Sequence, residues 1–358
     1  MVSLFDAVSF MRGRDMKNRF MLAPLTNQQS HVDGTLSEDE YRWLTMRAQG
    51  GFGLTMTCAS HVIANGQGFA GQLGSFDDAH LDGLSRLAEG IKAQDSLAIV
   101  QLHHAGRRSP ADLIHQEPLS SGSDAKLGAR EMTTGEVEEV IEAFISAAVR
   151  VEKAGFEGIE LHGAHDYLLC QFLNAELNQR TDQYGGSLEN RSRIIFSVID
   201  GIHARCGENF HVGIRLSPER FGMKTTEIIE VYGRLVDTGK VDMIDMSLWD
   251  VFKLGADEGF EDQRLIDIFA NLERGNTRLA VAGKLYNAPD MQRAIDAGAD
   301  IVAVGRAAVT NHDFPNQTAK NPNFEMRALP VSREALRSEG LSDVFIGYMG
   351  NWAGFVGD

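Results

Sequence analysis

The 358-residue sequence predicts one α/β domain, a single (β/α)₈ TIM barrel spanning residues 1–358. Three observations predict it. Eight short apolar runs recur along the chain, amphipathic segments separate them, and polar groups gather just after the runs. Strands alternating with helices imply a parallel sheet, and eight such units suffice to close it. An open doubly wound sheet is the competing architecture.

The runs are taken in order. Phe20-Met21-Leu22-Ala23, Leu54-Thr55-Met56-Thr57, Ala98-Ile99-Val100-Gln101 and Gly158-Ile159-Glu160-Leu161 form the first half. Val212-Gly213-Ile214-Arg215, Met243-Ile244-Asp245-Met246, Leu279-Ala280-Val281-Ala282 and Ile301-Val302-Ala303-Val304 form the second. Between them, residues 134–153 show the clearest helical period. Val137, Val140, Ile141, Phe144, Ile145, Ala148 and Val151 recur there at spacings of three and four. Thr133 and Glu136 have the spacing of a capping box at its start. Residues 190–204, 226–236 and 288–297 also read as helices. No Pro/Gly/Ser linker and no low-complexity segment marks a domain boundary.

Bulk properties narrow the function. With 43% hydrophobic residues, the chain has no apolar run of the roughly 18 residues that span a bilayer. Its N-terminus lacks a basic region followed by an apolar core, so no secretory signal is expected. Cys58, Cys170 and Cys206 are too few and too scattered for a disulfide framework, a cluster or a metal site, and a reducing cytoplasm fits them. A net charge of −16 with dispersed Lys and Arg argues against nucleic-acid or anionic-membrane partners.

In a barrel of this class, chemistry sits at the C-terminal ends of the strands. Those ends carry Pro24-Leu25-Thr26, Gln101-Leu102-His103-His104, His162, Arg215, Gly283-Lys284 and Gly305-Arg306. The end of the fourth strand is the most informative. Leu161-His162-Gly163-Ala164-His165-Asp166-Tyr167 places two imidazoles and a phenol within six residues. Two imidazole donors and a neutral O–H acid suit an oxygen that gains negative charge while a neighbouring carbon needs a proton. The glycines after strands seven and eight occupy positions where many barrels hold a phosphate, and Arg306 adds a charged fork. Glycines here also serve simply to end strands.

Across most of its length the chain resembles the Old Yellow Enzyme family of FMN-dependent ene-reductases. The resemblance rests on Ala23-Pro24-Leu25-Thr26, Gln101-Leu102-His103-His104-Ala105-Gly106-Arg107, the run from His162 to Arg193, Arg215-Leu216-Ser217-Pro218 and Val304-Gly305-Arg306. It implies FMN at the barrel mouth, with NADPH or NADH as reductant. By position, Pro24, Leu25, Thr26 and Ala59 would line the flavin ring, Gln101 would bond its pyrimidine portion, and Arg215 would face the side that turns negative on reduction. Gly283, Gly305 and Arg306 would hold the phosphate, with Lys284 as a further candidate. The resemblance also implies the substrate, a small electron-poor alkene. His162 and His165 would bind its activating oxygen and Tyr167 would protonate its α-carbon, so all three bind substrate and act in catalysis.

Several positions depart from the family pattern. Asp166 stands where glycine is frequent, and a carboxylate there is able to repel anions or raise a histidine pKa. Thr57-Cys58-Ala59 lacks an acidic residue common at that strand end. Asn27-Gln28 lacks an aromatic contact present in some relatives, and Thr26 replaces the cysteine of another branch. Multidomain relatives carrying an iron–sulfur cluster and a Rossmann domain do not match three scattered cysteines and a chain that ends soon after strand eight.

His103, His104 and His115 read as structural. A metal-dependent barrel hydrolase is the non-redox rival, but it needs three converging ligands and Arg215 opposes a cation. Two rivals keep the flavin: a barrel acting mainly on quinones, nitro compounds or nitrate esters, and one without alkene turnover. The aromatic tail at about 341–358, including Phe345, Tyr348, Trp352 and Phe355, either caps its own barrel or packs on a second copy, which leaves a homo-oligomer open.

Overall fold

The computed structural model describes residues 2–358. Eight parallel strands close a barrel: β1 (Phe20–Leu22), β2 (Leu54–His61), β3 (Leu97–His103), β4 (Gly158–Gly163), β5 (His211–Leu216), β6 (Met243–Ser247), β7 (Arg278–Ala282) and β8 (Ile301–Val304). Neighbours in space follow chain order, and β8 pairs back to β1 through Phe20↔Val302 and Leu22↔Val304. That last pairing excludes the open sheet. All eight expected runs are strands, and β2 and β3 continue several residues beyond them. A register shift between Met56 and Ala59 bulges β2 beside β3, a device that re-aims side chains at barrel rims.

The strands are buried on both faces, as parallel strands must be when helices cover them. Alternate residues divide between two cores. Met21, Met56, Ile99 and Met243 point into the barrel, where Val8, Phe10 and Met16 plug its lower end. Phe20, Leu22, Val100 and Ile159 face the helices. The outer ring comprises α1 (Glu38–Gln49), α2 (Leu81–Lys92), α3 (Thr134–Lys153), α4 (Leu188–Arg205), α5 (Thr225–Asp237), α6 (Leu265–Ala270) and α7 (Ala288–Asp296). The capping box at Thr133 and Glu136 is formed. Helix α1 went unmarked in the sequence because its buried face mixes Trp43 and Leu44 with Glu40 and Arg47, which breaks the apolar stripe.

The tail caps its own barrel. Its helix Asp343–Met349 sets Phe345 edge-on against Trp43 of α1, with ring centroids 4.8 Å apart. The Ser342 N–H donates to Gln29 Oε1 at 2.9 Å, and Phe345, Ile346, Met349 and Phe355 are buried. Tyr348 and Trp352 are thereby carried to the barrel mouth. Among the described residues, no helix is long and apolar enough to cross a membrane.

Candidate active site

The chain leaves β4 through a tight turn in which His165 and Asp166 both adopt left-handed backbone, with φ of 61° and 62°. For residues with a Cβ this is uncommon and mildly strained. The turn folds three rings onto one another. His162 lies 5.2 Å from His165 and 4.9 Å from Tyr167, centroid to centroid, both nearly perpendicular. His103 joins the cluster edge-on to Tyr167 at 4.4 Å. Its Nδ1 accepts from Gln72 at 3.0 Å, a hydrogen bond that the sequence did not reveal.

Hydrogen bonds hold both imidazoles and assign the proton of His162. The Ala164 N–H donates to His162 Nδ1 at 3.3 Å, so Nε2 carries the hydrogen. Ser247 Oγ lies 2.7 Å from His165 Nε2 and also accepts from Arg215 Nη2 at 3.4 Å. A hydroxyl oxygen accepts two hydrogen bonds and donates one, so Ser247 fixes the His165 ring in place in either tautomer. Burial, then positive and imidazole neighbours, hold His162 and His165 well below the usual imidazole range. Both rings are neutral at pH 7, and each carries one N–H.

Asp166 does not do what its type suggests. Its carboxylate turns to Arg107, which donates from Nη2 at 2.7 Å and Nε at 3.2 Å, while Arg107 Nη1 reaches Asp124 at 2.9 Å. Burial raises the Asp166 pKa, with Arg107 opposing. The histidine pKa values move down, not up, and the carboxylate stays off the cavity wall.

Beneath the rings lies a buried polar floor. Gln101 on β3 donates through Nε2 to Glu160 Oε1 on β4 at 2.8 Å. Arg215 on β5 sits 3.0 Å from Asp245 on β6. One guanidinium faces two buried carboxyls, so only one is readily ionised. Asp245 has the close contact; burial, reinforced by Asp245, pushes Glu160 up to about 8. Glu160 Oε2, both Asp245 oxygens and Arg215 Nε have no well-aligned hydrogen-bond partner among the described residues. In a native interior such groups call for an explanation.

The glycine end lies across the mouth. A Cβ on Gly283 would come within 2.7 Å of the Trp249 carbonyl carbon and the Asp250 nitrogen, and its φ is 151°. Only glycine fits there. Gly305 has room for a Cβ, so its type is not sterically imposed. Lys284 pairs with Asp250 at 3.1 Å, and Arg306 donates to the Tyr286 hydroxyl at 2.7 Å.

A cavity of about 590 Å³ joins the two ends, lined by Pro24, Leu25, His165, Tyr167, Arg215, Gly283, Lys284, Gly305 and Arg306 among others. This is the size of a cofactor site. Gln101 lies below it, and His162 stands behind Tyr167 and His165. Ala59, on β2, gives its carbonyl to Gln72 at 2.9 Å and does not line the cavity. Thr26 likewise lies off the wall, beside the Tyr348 phenol, whose pKa burial raises and Thr26 partly restores. Arg108, Arg220, Trp249, Tyr348 and Trp352 also line the cavity. None of these five was a site candidate in the sequence. Among the described residues, no group of three or more His, Cys, Asp or Glu is placed to hold a metal ion.

Residues 3–325 match the model of the NADH:flavin oxidoreductase / NADH oxidase family. A probable NADH-dependent flavin oxidoreductase of Bacillus subtilis is 36% identical over 88% of this chain and 87% of its own length. The chain belongs to this family, the Old Yellow Enzyme family. Longer proteins share the same unit: 90% of this chain aligns at 31% identity with an NADH:fumarate oxidoreductase of Klebsiella pneumoniae, covering 36% of that protein. The fold agrees. An Old Yellow Enzyme homologue from Zymomonas mobilis superposes with a TM-score of 0.81 and 24% identity, covering 96% of this chain and 99% of that one.

As a family member the chain is an FMN-dependent, NAD(P)H-dependent oxidoreductase, and its residues fit the cofactor. Arg215, a cation that lines the cavity, suits the anionic edge of a reduced flavin. At Gly305, where a Cβ would meet nothing closer than Leu25 Cδ2 at 3.6 Å, open backbone at the cavity wall suits a close approach of phosphate.

Proposed function

We propose that this chain, acting as one FMN-binding unit, is an ene-reductase for small electron-poor alkenes. The observation that carries the reading is the ring cluster at the end of β4, in which two neutral imidazoles and a phenol meet beside the cavity. Pro24, Leu25 and Arg215 would contact the flavin ring from the cavity wall, with Thr26, Ala59 and Gln101 supporting that wall from behind, and Gly283, Lys284, Gly305 and Arg306 would hold the phosphate. Bound FMN supplies hydride acceptance from NADH or NADPH and hydride donation to the β-carbon of the alkene.

The protein's own part is polar. His162 Nε2–H and the His165 imidazole bind the carbonyl or nitro oxygen, where charge builds as the β-carbon is reduced. Neutral donors are right for this task, because they stabilise the oxygen without transferring a proton to it prematurely. Removing such a donor typically costs on the order of 2.7–4 kcal/mol of barrier. Tyr167 gives its phenolic proton to the α-carbon. Arg215 places positive charge on the floor, where the reduced cofactor is negative.

The test is an absorbance titration without oxygen. Adding NADPH should bleach a flavin band near roughly 450 nm, and cyclohexenone should restore it. Bleaching without recovery would overturn the alkene chemistry and point to quinones, nitro compounds or nitrate esters as acceptors.

A further inference from the structure

We propose that Arg108 and Arg220 form an anion-recognition site at the reacting end of the cavity, and that the preferred alkene of this chain carries a carboxylate. This rests on the ene-reductase reading above. The first observation is a contrast of charge. The chain carries a net charge of −16, yet the cavity lining includes five cationic side chains and no Asp or Glu.

Three of the five have evident occupations. Arg215 faces Asp245 at 3.0 Å, Lys284 faces Asp250 at 3.1 Å, and Arg306 lies at the glycine end bonded to Tyr286. Arg108 and Arg220 have no carboxylate within ion-pair distance among the described residues. Their neighbours Arg107 and Glu219, by contrast, are both paired.

The second observation is that both unpaired guanidinium groups are held in place. Arg108 Nη1 donates to the His165 carbonyl at 2.7 Å, and its guanidinium lies 4.8 Å from the centroid of Tyr167. Arg220 lies 4.3 Å from the Trp249 ring and 5.3 Å from Phe221, and Phe221 meets His165 edge-on at 6.1 Å. Arg220 and Phe221 are both left-handed, with φ of 66° and 54°. Strained backbone that points a cation into a cavity is structure kept for a purpose other than packing. Aromatic faces strip water from one side of each guanidinium and leave its N–H edge free.

An Arg fork matches a carboxylate in two parallel hydrogen bonds, a geometry that lysine lacks. Both arginines also act on His165, lowering its pKa alongside Arg215. They therefore stand beside the oxygen-binding and proton-donating groups. A substrate whose alkene lies between His165 and Tyr167 would bring a carboxylate one or two carbons away into their reach.

The test compares trans-4-oxo-2-pentenoate with its methyl ester, which share the alkene and the activating ketone and differ in charge. Calorimetric titration of oxidised, FMN-loaded protein at low salt should show the acid binding about tenfold or more tightly, the scale of a charge-assisted pair. The Arg108→Gln/Arg220→Gln double variant should bring that ratio to near one, and Arg220→Lys should retain part of it. An unchanged flavin spectrum certifies that the variants are folded. Equal binding of acid and ester by the unmodified protein overturns the proposal. So does an acid preference that survives in the double variant while its affinity for NADPH falls, because the arginines would then serve nucleotide phosphates. Failure of the ene-reductase reading shows separately, as photoreduced enzyme that neither compound nor cyclohexenone reoxidises. That outcome removes the alkene, while the binding ratio still decides the anion site.

Discussion

On the floor of the cavity, Gln101, Glu160, Arg215 and Asp245 all come from adjacent strands and are buried. At its rim, Arg108, Arg220, Trp249 and Tyr348 come from loops and the C-terminal helix and are at least partly exposed. The floor is positioned by barrel register: Gln101 pairs with Glu160, and Arg215 with Asp245, as direct cross-strand partners. Moving one means moving a strand. The rim is positioned by left-handed turns, ring stacking and a docked tail, each replaceable without disturbing the sheet. The difference separates what the protein does from what it does it to. Under the proposed function, reaction class resides in the floor and the rings above it, and selectivity in the rim.

The largest expected effect lies with the rings. Replacing Tyr167 by Phe should slow reoxidation of the reduced enzyme by cyclohexenone about 10²-fold or more. Reduction by NADPH should stay within a few fold, because the phenol is not asked for a proton in that half. Stopped-flow measurement of both halves separates them. An equal loss in both would show that Tyr167 shapes the cavity and donates no proton.

Next comes the glycine end. Gly283→Ala introduces a Cβ where the Trp249 carbonyl carbon and the Asp250 nitrogen lie 2.7 Å away. It should cost about 1–3 kcal/mol of stability and weaken FMN retention, as measured by thermal melts and by free flavin after desalting. Gly305→Ala meets nothing closer than Leu25 Cδ2 at 3.6 Å and should be far milder. If the two behave alike, the steric distinction between the glycines is wrong.

A smaller effect tests the floor through pH. Burial and Asp245 push Glu160 up to about 8, while in an unfolded chain it titrates near 4.3. Below the lower value both states are protonated and the site is neutral in its effect. As pH rises toward 8 the unfolded chain releases a proton that the folded one retains, so stability falls across that window. Glu160→Gln keeps an oxygen for Gln101 and removes the titration. The variant should therefore lose less melting temperature than the parent between pH 5 and pH 8. A parallel decline in both would place the proton elsewhere on the floor.

The floor was largely legible in the sequence because strands announce their ends. Gln101 and Arg215 close apolar runs, and alternation assigns such residues to the barrel interior. Glu160, two residues before His162 in the same run, carried a signal that went unused: a carboxylate inside a buried strand needs a partner. The rim was not legible. Arg108 follows Arg107 with nothing to distinguish the free cation from the paired one. The left-handed turn at Arg220 and Phe221 is marked in the sequence only by the following Gly222, itself at φ 78°. Arg220 meets Trp249, and Phe345 meets Trp43, only through tertiary folding.

Asp166 stands where floor meets rim, and its replacement by glycine should have the smallest effect because two terms oppose. The residue sits at φ 62°, a conformation that costs a non-glycine residue roughly 1–2 kcal/mol, so Asp166→Gly relieves strain in the turn. The same change removes the two-point contact with Arg107, in which both partners are mostly buried. Hydrogen bonds to charged groups of that kind contribute about 1.5–3 kcal/mol. Arg107 keeps Asp124 at 2.9 Å and is not stranded without a counter-charge. The net change in stability should be within about 1 kcal/mol, and cyclohexenone turnover should stay within about threefold, since the carboxylate faces away from the rings. A large loss of turnover with an unchanged melting temperature would show that the Asp166–Arg107 pair sets the angle at which His165 and Tyr167 meet. The boundary between floor and rim would then lie beyond Asp166, on the Arg107 side.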